Sequence, residues 1–133
     1  MDYTKRMNEF AAKCGLPAPE TSSGAVVIDV NGIAVSFLEN APGGALVLHA
    51  GIGEAPGGSG GSVARTLLEA NAALTQSPGP VFCQDPETKA FALVRSIPLQ
   101  TADPALLLEA VADLAQAAAS WRKRLGLPAA PKA

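Results

Sequence analysis

At 133 residues and 48% apolar composition, the chain is long enough to bury one core without metal or disulfide staples and too apolar for a disordered segment. A net charge of −2 argues against the concentrated basic face that a nucleic-acid partner requires, and no stretch approaches the ~20 apolar residues that span a bilayer. Aromatic residues make up only 5%, so Ala, Val and Leu must supply most of the core.

Residues 2–14 have helical periodicity. Tyr3, Met7, Phe10, Ala11 and Cys14 form one stripe, with Lys5, Arg6, Asn8 and Lys13 between them. Asp2, Lys5, Arg6 and Glu9 also interrupt the apolar run that a signal peptide needs, so a cytoplasmic location is expected. Gly15 and Pro17 stop the helix, and residues 19–24 read as a polar linker.

Residues 25–40 read as a β-hairpin about Asn31-Gly32, because both central positions of a type I′ turn need positive φ. That turn sets Val30 against Ile33, Ile28 against Val35 and Val26 against Phe37, which puts six apolar residues on one face. Val27, Asp29, Ala34 and Ser36 fall on the other. A third strand over 45–50 places Leu46 and Leu48 on one face, Val47 and His49 on the other. A Gly/Pro/Ser-rich loop over 51–61 leads to a helix capped by Ser62 and running to Leu74.

A short strand at 81–84, a turn at Asp85-Pro86-Glu87-Thr88 and a strand at 90–97 follow. Asp103 caps the last helix, with Pro104 at its first position, where a missing N–H costs nothing. Leu107, Ala110, Val111, Leu114, Ala118, Trp121 and Leu125 keep its apolar spacing, and Arg122, Lys123 and Arg124 complement the dipole at its end. The expected architecture is α+β, in the order α-β-β-β-α-β-β-α: a twisted antiparallel sheet with helices, as a single domain over 3–125 with a disordered tail at 126–133.

Little in the sequence points to catalysis. Gly57-Gly58-Ser59-Gly60-Gly61 fits G-x-S-x-G formally, but the only histidine, His49, precedes the serine, the reverse of the order in α/β-hydrolases. The loop lacks the Lys-Ser/Thr pair of a phosphate cradle. His49 has no acid–base partner near it in sequence. Asp29, Glu39 and Asp85 sit at or near turns, where carboxylates are common. Cys14 and Cys83 form no CxxC pair and read as free thiols, Cys83 as a small core residue. No enzymatic activity, cofactor or metal is expected.

Four features in order carry a resemblance: Leu67-Leu68-Glu69-Ala70-Asn71 on the middle helix, the Asp85-Pro86-Glu87-Thr88 turn, the Leu93-Val94-Arg95-Ser96-Ile97-Pro98-Leu99 strand and exit, and Trp121-Arg122-Lys123-Arg124-Leu125 at the end. Over residues 3–125 the chain resembles class I chaperones of bacterial type III secretion, the Tir chaperone family. The glycine-rich loop and the mild acidity depart from the family pattern.

The resemblance implies a cytoplasmic homodimer that binds the extended N-terminal segment of a secreted effector without ATP, or a regulator on the same fold that sequesters a secretion regulator. A small hydrolase using Ser59 and His49 is the reading from another class. The resemblance further implies a dimer interface at Val63, Leu67, Ala70, Asn71 and Leu74, with Val81 and Phe82. Effector contacts would come from Met7, Phe10, Val27, Ala34, Val47 and His49. Ordinary core packing is the competing role for the helix stripe, and for Met7 and Phe10.

Overall fold

The computed structural model describes residues 3–15, 25–40, 44–55, 60–74 and 80–127. In chain order these form α1 (Tyr3–Cys14), β1 (Ala25–Val30), β2 (Ile33–Asn40), β3 (Ala45–Gly53), α2 (Gly60–Leu74), β4 (Val81–Gln84), β5 (Phe91–Pro98), a 3₁₀ turn (Leu99–Thr101) and α3 (Pro104–Leu125). The linker over 19–24, residues 56–59 of the glycine-rich loop with Ser59, and the tail over 128–133 lie outside the described residues; the rest of that loop extends β3 to Gly53 and opens α2 at Gly60.

The hairpin forms as its turn residues dictate. Asn31 and Gly32 both have positive φ, 53° and 87°, and the Asp29 carboxylate accepts a hydrogen bond from the Gly32 N–H at 3.0 Å. The register pairs Val30 with Ile33, Ile28 with Val35 and Val26 with Phe37. All strand pairs are antiparallel, in the order β1-β2-β3-β5-β4. β1 and β4 are therefore the two edges.

Alternation along the strands separates two faces. On one, Ile33, Val35, Phe37, Leu46, Leu48, Ala50, Leu93 and Ile97 are buried. α3 lies across this face, over β2, β3 and β5, and α1 packs on α3. The Phe10 and Phe37 rings meet at 5.2 Å, and Phe82 meets Trp121 edge to face at 4.9 Å. The small residues Ala110, Ala115 and Ala118 on the buried side of α3 let the helix approach the sheet closely.

Asp103 caps α3 by accepting from the Leu106 N–H at 2.8 Å, and Pro104 opens the helix. Gly126 ends it in the left-handed conformation, φ 68°, and Leu127 beyond it is buried, so packing extends two residues past 125.

Three local expectations are corrected. Ser62 is the third residue of α2 rather than its cap, because the helix starts at Gly60; its carbonyl accepts from the Thr66 hydroxyl. Arg6 is buried: its guanidinium donates to the carbonyls of Leu99 and Gln100 at 3.0 and 3.1 Å and pairs with Glu9, satisfying the charge where α1 meets the 3₁₀ turn. Cys83 is exposed rather than core, because on β4 the covered side belongs to Phe82.

Arg122 does more than complement a helix dipole. Its guanidinium donates to the carbonyls of Ile52, Gly51 and Gly32, at 2.8, 3.1 and 3.2 Å. It thus ties the end of α3 to the β1–β2 turn and to the end of β3, where the ladder shifts between Gly51 and Gly53. Arg124 instead stacks over Trp121, 4.6 Å from the ring centroid.

Candidate protein-binding surfaces

The second face of the sheet faces away from α1 and α3. In-register partners line up on it across all five strands: Val27, Ser36, His49, Val94 and Val81. A second row runs Leu38, Val47, Ser96. At about 4.8 Å between strands, the first row spans roughly 19 Å. Val27 is 62% exposed, Leu38 is exposed, and Val47, His49, Val94 and Val81 are half-buried by their neighbours. These two rows, interrupted by two serine hydroxyls and one imidazole and bordered by the Asp29 carboxylate, make a largely apolar surface that suits protein contact.

The two edges differ in kind. A two-residue hairpin makes Val30–Ile33 a hydrogen-bonded pair, so Ile28 and Val26 also bond inward to β2, and the N–H and C=O groups of Val27 and Asp29 point away from the sheet. At the other edge, Asn71 of α2 takes the place of a neighbouring strand. Its amide donates to the Phe82 carbonyl at 3.0 Å, and its oxygen accepts from the Phe82 N–H at 2.7 Å. The β4 edge is closed by a side chain; the β1 edge keeps its main-chain groups outward.

Beside the open edge runs a cleft of ≈ 370 Å³ between α1, β1 and α3, lined by Phe10, Cys14, Ile28, Val30, Leu108 and Val111, with Asp29 as its charged lining residue. It meets the uncovered face along β1.

The residues expected to contact an effector divide accordingly. Val27, Ala34, Val47 and His49 share the uncovered face. Met7 and Phe10 are core, though Phe10 also forms part of the cleft wall. Of those expected at a dimer interface, Val63, Leu67 and Phe82 are buried within the single chain, and Ala70, Asn71 and Val81 are half-buried. The side chain of Leu74 lies outside the described set.

Among the described residues Leu68 is the most exposed large apolar one, at 68%, and borders a second groove with Ala64, Asn71, Phe82, Cys83 and Phe91. Leu38, Val94 and Leu108 were missing from the sequence-based set. Parity alone places Leu38 opposite Phe37 and Val94 opposite Leu93; Leu108 required the position of α1.

Among the described residues no group of His, Cys, Asp and Glu is arranged to hold a metal, and no helix is long and apolar enough to cross a membrane. The Cys83 thiol, though exposed, is pushed above its ordinary pKa by partial burial and secondarily by the Asp85 charge.

The chain matches the model of the Tir chaperone protein (CesT) family over residues 6–122. No curated protein matches it significantly. A chain of the HopA1–SchA chaperone–effector complex is similar with TM-score 0.77 at 15% identity, covering 91% of this chain and 93% of that one. A chain of the ExsC–ExsE complex is similar with TM-score 0.77 at 21% identity, covering 94% and 97%. One from the ExoT–SpcS complex of Pseudomonas aeruginosa has TM-score 0.67 at 24% identity, covering 90% and 98%. At these identities the structures share the fold, and the family match extends through nearly every element of it: the chain belongs to the Tir chaperone family.

Proposed function

We propose that the protein is a cytoplasmic, homodimeric chaperone that holds the extended N-terminal segment of a type III secreted effector, without ATP and without turnover. The observation that carries this reading is the open β1 edge, with an apolar cleft on one side and an apolar sheet face on the other. A segment added as a strand bonds through its main chain to Val27 and Asp29. Its alternate side chains then enter the cleft beside Phe10, Leu108 and Val111, or lie beside Val27 at the margin of the uncovered sheet face. Such contacts are shallow and long, which suits a ligand that orders only on binding. The similar chain from the HopA1–SchA chaperone–effector complex supports an effector as the partner.

The homodimer is proposed through the outer side of α2 and the adjoining β4, with Leu68, Asn71 and Val81 at or near the surface and Val63, Leu67, Ala70 and Phe82 packed behind them.

The test is co-expression with a candidate secreted effector, followed by hydrogen exchange. Protection of the Val27 and Asp29 amides, with loss of capture in Val27→Lys, supports the reading. Protection confined to α2, with β1 unchanged, rejects it. Displacement of the bound protein by a second regulator would move the protein to the regulatory reading on the same fold.

A further inference from the structure

The outer side of α2 carries a charge pattern that a second copy of itself would complement. Arg65 and Glu69 flank Leu68 and pair loosely with each other at 3.6 Å, their side chains 85% and 72% exposed. On a helix of 3.6 residues per turn, Gly61, Arg65, Leu68 and Ala72 fall within about 60° of one another, with Glu69 on the same flank as Arg65. Gly61 and Ala72 are exposed and add little bulk, so another backbone can approach on either side of Leu68.

A two-fold axis perpendicular to such a helix makes its copy antiparallel and keeps each flank on its own side. With the axis near residue 67, midway between Arg65 and Glu69, the partner's Glu69 stands at the height of Arg65 and the partner's Arg65 at the height of Glu69. The two Leu68 side chains then meet within about 3 Å along the axis, given a rise of 1.5 Å per residue.

We infer that Arg65 and Glu69 determine pairing between copies of this chain, by exchanging their intrahelical ion pair for two intermolecular ones around a Leu68–Leu68 contact. The inference rests on the homodimer proposed above and names the register that reading leaves open. Its role is selectivity: like charges set opposite one another across an interface exclude a wrong partner more effectively than a correct pair adds affinity. A related chaperone with another charge order on this helix would be refused.

The experiment uses sedimentation equilibrium on the full chain and native mass spectrometry of isotope-labelled mixtures. Arg65→Glu and Glu69→Arg are each expected to weaken the dimer about tenfold, and the double reversal to restore it to within about threefold of wild type. Wild type mixed with the double reversal should self-sort, with heterodimer well below the statistical half. Circular dichroism of the single variants separates a pairing defect from misfolding, and rescue by the double reversal does so independently. If Leu68→Asp gives monomers while both single reversals leave the dimer unchanged and the mixture pairs statistically, this register is wrong and the homodimer stands. If wild type is monomeric at tens of micromolar, the homodimer and this inference fall together.

Discussion

The two faces of one sheet are built from the same strands and serve different ends. On β3, Leu46, Leu48 and Ala50 are fully covered by α3, while Val47 and His49, one residue along, are only half-buried by their neighbours. The covered face converts apolar area into stability. The other keeps its apolar area in contact with water, where it adds little to folding and is available for association. Residue type does not distinguish them: valine occurs on both, as Val35 and as Val47. What distinguishes them is which side α1 and α3 occupy.

The largest expected effect breaks the covered face. Phe37→Ala removes a ring in contact with Phe10 and should cost about 3–5 kcal/mol in urea unfolding. Arg122→Ala comes next. It removes the guanidinium donor from three carbonyls, two of them in partly buried bonds, and should cost about 1–3 kcal/mol, whereas Arg124→Ala should cost about 0.5–1 kcal/mol. Equal losses for the two arginines would mean that the three-carbonyl clamp adds nothing.

Asn71→Ala removes the amide that closes the β4 edge, and should cost about 1–2 kcal/mol while making light scattering rise with concentration. On the uncovered face, Val27→Lys should change stability by no more than about 0.5 kcal/mol, in contrast to Phe37→Ala, while abolishing effector capture. A large stability loss there would show that this face is covered after all. The smallest effect is chemical. Because its pKa is raised, Cys83 should react slowly with a disulfide reagent at neutral pH and faster as pH rises through the thiol range, with Asp85→Asn speeding the reaction.

Much of this was legible in the sequence because local rules acted without competition. Asn31-Gly32 set the register of six strand residues, and Asp103, Pro104 and Gly126 bounded α3. Val27, Ala34, Val47 and His49 were placed together by parity alone. The failures share a cause, since periodicity assigns a residue to a side but not to a neighbour. Arg6 lies among polar residues in sequence and is buried because the Leu99 and Gln100 carbonyls, more than ninety residues away, need donors. Val63 and Leu67 share a stripe with Ala70, yet they are buried against their own chain, and Leu68 beside them is the residue left in water. Asn71, expected at the dimer interface, spends its amide on its own β4.

The Arg122 clamp has a consequence for synthesis. Its three bonds join residues separated by 70 to 90 positions, and α3 is the lid over β2 and β3. As the ribosome releases the chain from its N-terminal end, the hairpin and β3 emerge with both faces bare and remain so until residue 122 clears the exit tunnel. High contact order of this kind slows folding and leaves sticky intermediates waiting for their final helix. A protein proposed to shield another chain from aggregation is itself, for that interval, a chain in need of shielding.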